Sequence, residues 1–230
     1  APPGDPQSFA FTASWGATFS LTDGAAPYDS GLLAPGTYSV SEAAPAGWDL
    51  TSGVCSDGSP VNAIVLDARE TVTCTFTNTK QPTRTQGFWA THTAFANDFW
   101  TAMVPPNEKT LCSQHITAKT QLGKNRLMGG FWANLAKDTN GNTRSDLDHA
   151  RMVMLQQLLA AMLNKYGLGT DDGDLVATAR AAYCGTNVDA INAAKSALDN
   201  FNQSGDSVPI TGSVPAATPE QSKSQADRVF

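Results

Sequence analysis

The apolar residues of this chain change their period once, around Lys80-Gln81-Pro82-Thr83-Arg84, and that change requires two kinds of structure in one polypeptide. Before it lie short β-type runs: Phe9-Ala10-Phe11, Ala17 to Leu21, Thr37 to Val40, Val61 to Leu66 and Thr71 to Thr77. Turn clusters separate them, among them Asp23-Gly24, Pro35-Gly36, Pro45-Ala46-Gly47 and Asp57-Gly58-Ser59-Pro60. Short alternating strands at this spacing predict an antiparallel β-sandwich. In the last run Val72, Cys74 and Phe76 share one face and the threonines take the other.

From Gly87 onward the apolar residues recur at intervals of three and four. Phe88, Trp89, Phe95, Phe99, Trp100 and Met103 fit a first helix, and Leu127, Met128, Phe131, Trp132 and Leu135 the next. Ser145 with Asp148 resembles a capping box and opens the longest helix, apolar over much of its circumference as far as Leu163, which places it centrally. Asp171-Asp172-Gly173-Asp174 opens a helix running to Ala182, and Asp189 to Phe201 forms another. Thr218-Pro219-Glu220-Gln221 starts a last one reaching Phe230. The predicted class is therefore α+β in two domains: an extended arm at 1–8, a β-sandwich at 9–80, a linker at 81–86, and an all-α bundle of about five or six helices at 87–230.

A length of 230 residues suits two domains of roughly 100 residues each. Charged residues make up 16 % of the chain against about 25 % in typical domains, with Gly and Pro plentiful, which fits an extracellular protein better than a cytosolic enzyme. The net charge is −6 and the Lys and Arg residues are scattered singly, so no basic face offers itself to nucleic acid. No apolar run approaches the roughly 18 residues of a membrane-spanning helix. The opening Ala1-Pro2-Pro3 suits a chain whose export signal peptide has been removed beside a small residue, and an engineered boundary would read the same way.

Cys55 and Cys74 fall in the β-type half, Cys112 and Cys184 in the helical half. Two per domain in an exported chain predicts two intradomain disulfides. Metal binding is the competing reading, but there is no C-x-x-C pair, and 19 residues between Cys55 and Cys74 suits a strand-to-strand bridge better.

Leu33-Ala34-Pro35-Gly36-Thr37-Tyr38-Ser39-Val40-Ser41-Glu42, then Ala44-Pro45-Ala46-Gly47-Trp48 and the final Cys74-Thr75-Phe76-Thr77-Asn78-Thr79-Lys80, resemble the prealbumin-like repeat, of Cna-B or SpaA type, that builds stalks and pilus shafts on bacterial surfaces. In many members a Lys on the first strand is joined to an Asn or Asp on the last by an isopeptide bond, with a buried Glu assisting. By motif position the resemblance implies Glu42 and Asn78 for two of these roles. The Lys is absent: none precedes Lys80, and the first strand carries Phe9 and Phe11, which excludes that bond within the domain. A Cys55–Cys74 bridge would serve the same mechanical end. The helical half, opening Thr85-Gln86-Gly87-Phe88-Trp89-Ala90-Thr91-His92, resembles a domain of uncharacterised exported bacterial proteins, to which no activity attaches.

Catalytic motifs are not apparent. There is no G-x-S-x-G, and His92, His115 and His149 lack metal-binding spacing. The segment from Asp138 to Asp146 places oxygen side chains at the first, third, fifth and ninth positions (Asp138, Asn140, Asn142, Asp146), which echoes a calcium loop. Its sixth residue is Thr143 rather than Gly and its twelfth is His149 rather than Glu, so a polar turn between helices accounts for it as well.

The expected function is that of an extracellular structural or adhesive surface protein without enzymatic activity, a pilus-like filament subunit contacting its own copies. The prolines of the arm, Pro2, Pro3 and Pro6, suggest a segment that could lie along a neighbour and extend its sheet. The alternative is a monomeric adhesin that presents Trp89, Trp100 and Trp132 to a glycan or peptide, with the β-domain as spacer. No cofactor is expected beyond the calcium of the loop reading.

Overall fold

A computed structural model describes residues 4–118, 125–210, 215–227 and 230. The chain divides into two compact units, Ala1–Gln81 and Pro82–Phe230.

The first unit contains β1 (Ser8–Ala13), β2 (Thr18–Thr22), β3 (Gly36–Tyr38), β4 (Val40–Ala43), β5 (Trp48–Cys55), β6 (Ile64–Leu66) and β7 (Cys74–Lys80). The antiparallel pairing expected from the sequence is present, but in three small sheets, ordered β2-β1-β4, β3-β6 and β5-β7, rather than in the two facing sheets of a sandwich. Alternation along β1 sends Phe9, Phe11 and Ala13 inward, each at most 5 % exposed. There they meet Val40, Trp48, Cys55 and Ile64 in one core shared by all three sheets. Phe9 packs edge-on to Trp48, while Phe11 stacks on Phe19 and meets Phe76 edge-on. Burying an aromatic of this size stabilises by roughly 2–3 kcal/mol relative to exposure, so β1 contributes a large share of the unit's core. β5 lies outside the predicted runs because its residues 49–52 are exposed and carry no alternation; seven residue pairings with β7 hold it in place.

The arm expected at 1–8 is not free over its described part. Ser8 begins β1, Gly4 N donates to Asp23 Oδ2 at 2.8 Å, and Asp5 pairs with Lys80 at 2.8 Å. Ala1, Pro2 and Pro3 lie outside the described residues.

The second unit holds seven α-helices among its described residues: α1 (Gln86–Thr91), α2 (Thr93–Ala102), α3 (Arg126–Phe131), α4 (Asp146–Met162), α5 (Leu175–Cys184), α6 (Val188–Ser204) and α7 (Pro219–Ser224), with a two-strand hairpin β8 (Thr110–Leu111) and β9 (Gln114–His115) after α2. The count exceeds the expected five or six because the first periodic stretch breaks at His92, whose ψ of 56° leaves the helical range. Asparagine, serine and threonine N-caps start α3, α4 and α7 through Asn125, Ser145 and Thr218, the last in a complete capping box. Helix α7 ends at Ser224, short of the Phe230 expected from its sequence, with Arg228 and Val229 outside the described residues.

Helix α4 is central and apolar over much of its circumference, with Met154, Leu155, Leu158, Leu159 and Met162 at 0 % exposure. Two glycines let neighbours approach it and its continuation. A Cβ on Gly130 of α3 would lie 2.5 Å from Leu159, and one on Gly167 would lie 2.2 Å from Phe99. Helix α4 runs on into a π-helical turn, Leu163–Gly167, which carries the buried Asn164.

Around Asn164 the second unit gathers its start. Asn164 Oδ1 accepts from Arg84 N at 2.9 Å and from Trp89 Nε1 at 3.0 Å, while its Nδ2 donates to Arg84 O and to Asn202 Oδ1. The Arg84 guanidinium donates to the carbonyls of Gly205, Asp206 and Val208 beyond the end of α6. The expected linker at 81–86 is thus, from Pro82 onward, part of the helical unit: Thr83 is fully buried and Arg84 8 % exposed. A run rich in Pro, Thr and Gln reads as a linker by composition, but buried hydrogen-bond partners for its backbone draw it inside.

Candidate functional site

The residues that the stalk-type resemblance singles out converge on the first unit's longest strand pair and on β4 beside β1. In the β5–β7 pairing Cys55 stands opposite Cys74 and Trp48 opposite Lys80. The two cysteines are joined in a disulfide with Cα atoms 3.9 Å apart, which closes one end of the ladder. Asn78, opposite Leu50, points inward and is 7 % exposed. Glu42 lies opposite Phe11 in the β1–β4 pairing.

Both carboxylate oxygens of Glu42 and Oδ1 of Asn78 are buried without a hydrogen-bond partner. Burial pushes the Glu42 carboxyl above its ordinary pKa; the Asn78 amide beside it pulls the other way without reaching hydrogen-bond geometry, and burial prevails. Orphaned acceptors of this kind favour the neutral acid, since a charged carboxylate without partners is costly out of water. What the pair lacks is an amine. Phe9 and Phe11 fill the inward positions of β1, and Lys80 is held by Asp5 while lying over the Trp48 ring, 5.2 Å from its centroid. That hydrogen bond from Lys80 is the main reason the Asp5 carboxyl sits below the usual carboxylate range.

In the second unit Cys112, at the β8–β9 turn, is joined to Cys184 at the end of α5. An ion pair of Arg180 with Glu108 at 3.0 Å and a bond from Arg180 to Thr110 O at 3.0 Å support the same junction.

The Asp138 segment forms a turn that uses its own acceptors. Asp138 Oδ1 accepts from Asn140 N at 2.9 Å and Asn142 N at 2.8 Å, and Oδ2 accepts from Asn142 Nδ2 at 3.2 Å. These bonds, the one from Asn142 N foremost, hold the Asp138 carboxyl below its ordinary pKa. Asp146 is the first residue of α4 and flanks a surface depression with His149 and Lys195. Among the described residues no three or more His, Cys, Asp and Glu side chains cluster in a way that could hold a metal ion.

The tryptophans separate. Trp89 and Trp100 are core residues, 0 % and 1 % exposed, with indole N–H groups donated to Asn164 Oδ1 and Ile116 O. Trp132 is only part-buried and donates to Ala90 O at 3.2 Å. His92 stacks on Phe88 and its Nδ1 lies 2.8 Å from Phe88 O, while His115 contacts Thr110; the three histidines stand in different settings. Asn164 and Arg84, which organise the helical unit, do not emerge from the sequence pattern. The available signal was a lone Asn within the apolar run that ends α4.

Among the described residues no helix is long and apolar enough to cross a membrane. No curated protein and no solved structure matches the chain. The model of a prealbumin-like fold domain matches residues 2–80, so the first unit, with its antiparallel sheets and clamped last strand, is a prealbumin-like domain.

Proposed function

We propose that this chain is an extracellular structural protein of a bacterial-type cell surface, a non-catalytic subunit that assembles with copies of itself into a filament. The observation that carries the reading is the disulfide across β5 and β7 in a prealbumin-like unit, a domain type typical of pilus and surface proteins. β7 is the strand by which the chain leaves this unit, so tension applied through the following residues acts on β7 first. A crosslink between β7 and its partner keeps the strand from peeling away, and closing a loop of this size stabilises by about 3 kcal/mol.

Contact between copies also has surface available. Leu32 is fully exposed in the stretch between β2 and β3, and Val54 and Val65 are at least half exposed on their strands. Apolar side chains held in water in this way suit coverage by a neighbouring copy. Negative-stain microscopy and size-exclusion chromatography of purified protein test the proposal. Polymers that are lost on Leu32→Glu substitution are expected; protein that stays monomeric at all concentrations would overturn it in favour of a monomeric adhesin.

A further inference from the structure

The second unit carries a groove of about 490 Å³ that no part of the structural role above uses. It lies between the start of α1, the segment following α3, the middle of α4, and α7. Ala90, Ala133 and Leu135 give it apolar surface, and Trp132 stands in its wall. The indole is fixed in place by its bond to Ala90 O and by the Lys223 ammonium, 4.9 Å from the ring centroid.

Three side-chain amides line the groove, and each has capacity left over. Gln156 Nε2 donates to Phe131 O at 3.0 Å, which leaves its Oε1 as an acceptor. Asn134 Oδ1 accepts from Ala136 N and Lys137 N, both at 3.0 Å, which leaves its Nδ2 as a donor. Gln86, the first residue of α1, makes no side-chain hydrogen bond among the described residues and so offers both. Among the described residues carboxylates are absent from the lining, and Lys223 is its only charged group.

We infer that this groove binds a neutral oligosaccharide. A sugar ring has apolar C–H faces and a rim of hydroxyls that both donate and accept. The groove matches it with aliphatic and indole surface and with an amide set that mixes donors and acceptors without strong charge. Among the described residues a nucleotide or other polyanion would meet one lysine only, and a purely apolar ligand would strand the amides without partners. The assignment goes beyond the proposed structural role and is independent of whether copies assemble.

The test uses the full chain labelled with ¹⁵N, titrated separately with chitotriose, cellotriose, maltotriose and mannotriose at millimolar concentration, with the Trp132 indole N–H and the Gln86 side-chain amide as reporters. At least one sugar is expected to shift both signals in a saturable way. Gln86→Ala, whose melting temperature is expected to equal the parent's, should bind that sugar roughly tenfold more weakly, as for one lost hydrogen bond. Trp132→Ala gives a second measure through the Gln86 signal and should weaken binding as well. Silence of both reporters with all four sugars, or affinity unchanged in Gln86→Ala, would overturn the proposal.

Discussion

A single carboxyl illustrates how the β-unit departs from a simple apolar core. Glu42 binds its proton more tightly when folded than when unfolded, so its contribution favours the folded state at low pH and is lost as pH rises through the folded pKa. Glu42→Gln removes that ionisation while keeping the shape. The variant should therefore melt at a higher temperature than the parent at pH 7, and the difference should close below about pH 4.5, where the unfolded carboxyl is also protonated. Melting curves followed by circular dichroism across that range check it; a lower melting temperature for the variant at pH 7 would show that the charge is accommodated. The positions of Glu42 and Asn78 were legible from motif spacing. Their orphaned oxygens were not, because burial of a strand residue depends on which aromatic stands across from it, here Phe11.

At the scale of elements, the period of the apolar residues located most helices, and caps located several of their starts. Ser145 and Thr218 each accept the hydrogen bond expected of them, from Asp148 N and Gln221 N. Strand β5 was hidden because its exposed middle has no pattern of its own and is positioned by β7. The break at His92 was hidden because Phe88, Trp89 and Phe95 keep helical spacing across it. The Asp138 turn sits between these cases. Its oxygen-rich sequence suits a cation, but the carboxylate already accepts from its own turn. Adding calcium and then chelator should leave the melting temperature unchanged, whereas Asp138→Ala should lower it by a few degrees through loss of the turn; a calcium-dependent rise would reverse the assignment.

For the molecule as a whole, each compact unit carries its own crosslink, of very different span. The Cys112–Cys184 bridge closes a separation of 72 residues, for which loop-closure entropy gives roughly 4 kcal/mol, against about 3 for Cys55–Cys74. Replacing Cys112 and Cys184 together by Ser should destabilise the helical unit by about that amount in denaturant titration followed by tryptophan fluorescence, while the amide exchange rates of β5 and β7 stay unchanged. The division into two units was visible in the change of period. The place of Arg84 was not, since a solitary arginine between two threonines gives no sign that it will be buried against the carbonyls beyond α6.

The clamp on β7 is a sulfur bond where the resemblance implies an amide in many members of the family, and the two differ in how they can be undone. An amide crosslink is permanent under physiological conditions, whereas a disulfide opens by thiolate attack and closes again with an oxidant. In the proposed structural role, the hold of this clamp follows the redox poise of its surroundings: closed where they are oxidising, opened by a thiol, and closed again by an oxidant without new synthesis.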